Sequence, residues 1–63
     1  MTLETHLKKH LAELEEYRDE YKKALEDPTN VEKFDFFNGK YHAYRWAVEN
    51  FKDLLRFHGV IQP

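Results

Sequence analysis

The side chains best suited to chemistry in this 63-residue chain are its four histidines and a dense set of carboxylates. His6 and His10 stand four apart in HLKKH, a spacing that puts two imidazoles on one helical face. If the chain folds back on itself, His58 approaches the same end. Three imidazoles suffice for zinc with one open position. Lys8, Lys9 and Arg56 crowd that end and oppose a cation, and HExxH, the helical zinc motif, does not occur. His58 has a simpler role near a helix C-terminus, where an imidazolium meets the negative end of the dipole. The expectation is therefore no metal, with His6, His10 and His58 the nearest approach to a ligand set. His42 stands alone in its segment and reads as a surface or interface residue.

Catalysis finds no support. The chain has no Ser and no Cys, no glycine-rich phosphate loop and no HxE motif. No enzyme activity and no cofactor are expected. Glu13, Glu15, Glu16, Asp19 and Glu20 form an acidic patch that reads as a solvated helix face, or as a docking surface for a basic partner. The net charge of -2 argues against a dedicated nucleic-acid binder. Arg45, Lys52 and Arg56, with Glu49 among them, make a poor phosphate funnel. Without Cys, disulfides and thiolate zinc sites are excluded. MTLETHLKKHL lacks the apolar core of a signal peptide, and no apolar run approaches the ~20 residues of a membrane helix. The expected setting is soluble and cytoplasmic, away from membranes.

The elements that must position these groups are helical. From Leu7, apolar or amphipathic residues recur at 7, 11, 14, 18, 21 and 25, the a/d rhythm of a heptad. Arg18 interrupts this stripe. Leu3, His10, Tyr17 and Ala24 widen it. Thr2 is the expected N-cap, and Glu4–Lys8 and Asp19–Lys23 are i,i+4 pairs. Pro28 ends the helix near Glu26. Thr29 through Glu32 fits a capping box that opens a second helix. Its stripe is Phe34, Phe37, Tyr41, Tyr44, Val48, Phe51, Leu55 and His58, flanked by Ala47, Leu54 and Ile61. The Asn38-Gly39 pair would ordinarily be a turn. A turn resets the phase, and none is visible, so one helix with Gly39 inside it is favoured over a short helix to Phe37 followed by a turn. Gly59 suits the left-handed position after the helix, with Val60 folding back on Leu55 in a Schellman motif.

The predicted fold is all-α: one domain over 1–63, an antiparallel two-helix hairpin over about 2–26 and 30–58. Chains this short bury little, and two helices cannot cover both wide stripes. A homodimer forming a four-helix bundle is the simplest remedy. Its core would draw on Leu7, Leu11, Leu14, Tyr21 and Leu25 of the first helix. The second would supply Phe37, Tyr41, Tyr44, Val48, Phe51 and Leu55. Phe36, Gly39, Ala43, Trp46, Asn50 and Phe57 lie along the back of the second helix, with Asp53 in the same row. This back packs on the other subunit, or it binds a different protein. Aromatics, Trp above all, anchor interfaces. The expected protein-binding residues are Phe36, Gly39, Trp46 and Phe57, with Arg45 beside them. Gly39 would there allow a close backbone approach.

An acidic Leu-rich helix, an Asp-Pro link and an aromatic helix reading FFNGKYHAYRWAVENF resemble the small helical-hairpin proteins of bacteriophages and mobile elements. The resemblance covers most of the chain. It implies a modulator or inhibitor of an unidentified host protein, acting by steric occlusion in a bacterial cytoplasm. A transcription-associated or nucleic-acid-binding regulator, and a purely structural oligomerisation module, are the other two readings.

Overall fold

The computed structural model describes residues 2–61, all of whose regular structure is helical. Helix α1 (Leu3–Glu26) and helix α2 (Phe34–Phe57) flank a 3-10 turn over Pro28–Lys33. The α1 N-terminus is closed as its sequence demands. The Thr5 amide donates to Thr2 Oγ1 at 3.2 Å, which satisfies one of the orphan donors of the first turn. Glu4 and Lys8 pair at 3.2 Å.

The connection differs from the expected capping box. Asp27, not Thr29, is the cap. Pro28 holds the residue before it extended, and Asp27 sits at φ -81, ψ 117. From there its Oδ1 accepts the Thr29 amide at 2.9 Å and the Thr29 hydroxyl at 2.7 Å. Those two bonds, the backbone one first, hold the Asp27 carboxyl below its ordinary value. Asn30 is also recruited, its Nδ2 donating to the Ala24 carbonyl at 3.0 Å at the end of α1. Residues 30–33 are thus used in the 3-10 turn, and α2 begins at Phe34, without a side-chain cap.

Helix α2 runs unbroken through Asn38-Gly39, so the phase of the apolar stripe outweighs the turn propensity of the pair. A Cβ at Gly39 would meet nothing within 4 Å; within the chain this glycine admits no close contact. The far end closes as a Schellman motif. Gly59 takes φ 72, its amide donates to Arg56 O at 3.0 Å, and the Val60 amide donates to Leu55 O at 2.8 Å. Val60 and Ile61 then pack on the core.

Cross-helix ring pairs fix the antiparallel register. His10 meets Phe51 edge-on at 5.3 Å, and Tyr44 stacks on both Tyr17 and Tyr21 at 5.5 Å. Phe37 lies 6.2 Å from Tyr21 near the connection. The hairpin measures 42 × 21 × 14 Å, a slab one helix thick. A slab of this kind encloses little. Leu11, Val48 and Leu55 are its buried apolar residues, with Leu7, Leu14 and Phe51 half-buried around them. Tyr21, Leu25, Phe37, Tyr41 and Tyr44 complete the seam and are also half-buried. The stripes are narrower than the sequence suggests. Phe34 and His58, at the ends of the α2 stripe, are exposed, as are Leu54 on its flank and Leu3, His10 and Tyr17 on the flank of the α1 stripe. A single partner helix reaches only the middle of each stripe.

Candidate protein-binding surface

With about 100° between successive residues of a helix, the seam divides the slab into two broad sides. His10 and Tyr17 of α1 and Ala47 and Leu54 of α2 precede the seam positions and lean to one side. Glu15 of α1 and Arg45 and Lys52 of α2 follow them and lean to the other. The outer edge of α2, opposite the seam, carries Gly39, Trp46, Asp53 and Phe57. Phe36 turns from that edge toward the apolar side.

The second side is held by charges. Lys52 Nζ reaches across the seam to Glu15 Oε2 at 3.8 Å. Arg18, the polar interruption in the α1 stripe, donates from Nε to Asp19 Oδ1 at 3.0 Å and lies 4.0 Å from Glu15. The hydrogen bond to Asp19 outweighs the cost of burial and lifts the guanidinium above its ordinary value. The Arg18 side chain is half-buried, with its head held by Asp19. This arrangement replaces the expected Asp19–Lys23 pair. Arg56 is held by Asp53 at 3.2 Å. Among the described residues Arg45 forms no ion pair, although Glu49 stands four residues on.

Each residue expected to bind a protein is exposed. Trp46 is 71% exposed, Phe57 85% and Phe36 56%, and Gly39 and Arg45 are also open to solvent. They do not form one patch. Trp46 shares a shallow hollow with His42, Arg45 and Glu49, and its carbonyl accepts the Asn50 side chain at 2.8 Å. Phe36 lies a quarter-turn or so away, edge-on to Phe37 and beneath the Lys40 ammonium, 5.7 Å above its ring. Phe57 sits near the end of α2, edge-on to His58. The spacing predicts a single row along the back of α2. It is two surfaces, an outer edge around Trp46 and an apolar broad side reached by Phe36.

The histidines are not gathered into a ligand set. His10 spends its ring on Phe51 and His58 on Phe57, and no cluster of three His, Cys, Asp or Glu among the described residues could hold a metal ion. Glu15, Glu16, Asp19 and Glu20 line a shallow, water-facing groove on α1 with Ala12 and Lys23. No helix among the described residues is long and apolar enough to cross a membrane. Compared with protein-family models, curated proteins and solved structures, the chain finds no match.

Proposed function

We propose that this chain is a non-enzymatic protein-binding module. It works as a homodimer of helical hairpins and occludes a groove or pocket of a different protein, in the manner that its likeness to phage-type hairpins implies for a host target. The observation that carries the reading is Trp46. A tryptophan on the outer edge of α2, turned from the seam and 71% exposed, adds nothing to the hairpin's own core. Large exposed aromatics flanked by Arg are the side chains that anchor interfaces. Arg45, His42 and Glu49 around it supply a polar border. The carboxylates of α1 repel phosphates, which supports this reading over a nucleic-acid regulator.

Affinity capture from a bacterial lysate, with wild type and Trp46→Ala side by side, tests it. A discrete protein retained by wild type and lost from the variant, with both chains equally helical, is the expected result. Identical recoveries from the two baits would remove Trp46 from the site.

A further inference from the structure

The homodimer in this reading requires a face, and α2 carries one that matches itself. Phe36, Lys40, Ala43, Ala47, Asn50 and Leu54 follow one another at spacings of 4, 3, 4, 3 and 4. This is a second heptad row beside the one that forms the seam. It lies on the apolar broad side of the slab. The row has the same character read from either end. Bulky apolar residues close it, polar residues come next, and two alanines occupy the centre. The members of each pair, 36 with 54, 40 with 50 and 43 with 47, are equidistant from residue 45.

We propose that two copies of this chain pair through this row, α2 antiparallel to α2 across a two-fold axis level with residue 45. A two-fold interface must be self-complementary, because each residue meets the mate of its own partner. Here Phe36 of one copy falls level with Leu54 of the other, Lys40 with Asn50, and Ala43 with Ala47. The alanines let the backbones approach. Ala43 and Ala47 line a shallow hollow with Lys40 and Tyr44 that can receive them. The side chains at both ends of the row are more than half exposed in the single hairpin, Phe36 at 56% and Leu54 at 52%. The Lys40–Asn50 level sets the register, as a polar residue within an apolar seam does.

Charge selects α2 rather than α1 for the centre. On α1 the same broad side carries Glu13, with Lys9 beside it, and Glu20 at its border, where it also lines the groove of Glu15, Glu16 and Asp19. Placed at the centre, these carboxylates would confront their own copies, while at the rim they stay in water. The outer edge bearing Trp46 lies off the row and stays free for the different partner.

Sedimentation equilibrium on the full chain, with circular dichroism as the check on folding, tests the pairing. Asn50→Lys opposes lysines at two symmetry-related levels and raises the dimer dissociation constant about tenfold. It does so without weakening the helix, because Lys is the better helix former. Adding Lys40→Glu to the same chain restores the wild-type constant. Positions 40 and 50 lie about 15 Å apart along one helix, so the rescue acts between copies. If Asn50→Lys alone loses its helical signal, an equimolar addition of the Lys40→Glu chain recovers it in a mixed pair. A wild type that stays monomeric at micromolar concentration overturns the proposal. So does an Asn50→Lys constant equal to wild type, a double variant no better than the single, or a mixture that recovers nothing. Trp46→Ala keeps the wild-type constant. If that variant dissociates the copies instead, the outer edge is part of the self-contact. The partner-binding reading of Trp46 then fails, while the charge pair still judges the row.

Discussion

The two broad sides of the hairpin are built from the same pair of helices and share one seam, yet they solve the problem of a small core in opposite ways. One side crosses the seam with Lys52 and Glu15 and sets Arg18 on Asp19, so charged groups, most of them paired, border the seam there. The other side leaves Tyr17, Phe36 and Leu54 about half in water. A one-layer hairpin has no third element to cover apolar surface. Only one side has been made fit to stay wet. The difference is one of residue type at equivalent positions, charge after the seam and apolar groups before it.

The seam common to both sides sets the largest expected effect. Leu55→Ala removes one of the few fully buried side chains and should cost about 2–5 kcal/mol. For so small a core that is enough to abolish cooperative unfolding. Thermal and urea melts followed by circular dichroism measure it. A melt within a degree of wild type would mean that the seam is not the core. Gly39→Ala tests the outer edge. No atom lies within 4 Å of the added Cβ, so the substitution should stabilise α2 by about 0.5–1 kcal/mol. A lower melting temperature at high concentration, with a gain at low concentration, would instead place another copy's backbone against Gly39.

A smaller effect comes from the connection. The Asp27 carboxyl titrates below its ordinary value of 3.8 because Thr29 donates to it twice. The unfolded chain therefore takes up the proton first as pH falls. Stability from this cap is complete above that ordinary value and is lost as pH falls through the lower folded one. Asp27→Asn should therefore melt lower than wild type at pH 6, with the gap closing at the acid end. A gap independent of pH would show that the charge of Asp27 is not what caps the turn. The smallest effect belongs to the polar side. Lys52→Ala should cost at most about 1 kcal/mol, and less as salt rises. A larger, salt-independent loss would mean that this side is held by packing, as the other one is.

Much of this was legible in the sequence. The phase of both stripes, the Thr2 cap and the Gly59 termination each follow from local rules, and the unbroken α2 follows from rhythm outweighing one turn signal. The connection was less legible. TNVE satisfies the capping-box pattern, but Pro28 makes Asp27 the earlier and better-placed cap, and sequence spacing does not rank two caps against each other. The breadth of the stripes was overread at Phe34, Leu3 and Leu54, because a heptad row shows which residues share a face but not how far one partner helix reaches over it. The back of α2 was read as one row because helical spacing alone does not say where the seam's sides divide. That division appears only once Glu15–Lys52 and Tyr17–Tyr44 fix which side each helix presents.

The contrast between the two kinds of exposed surface is tested most directly by hydroxyl-radical footprinting of the wild-type chain across a concentration series. With rising concentration, Phe36 and Leu54 on the apolar side should become protected, while Trp46 on the outer edge stays as reactive as in the dilute chain. Protection of Trp46 in step with Phe36, or no change in any of them, would contradict the account.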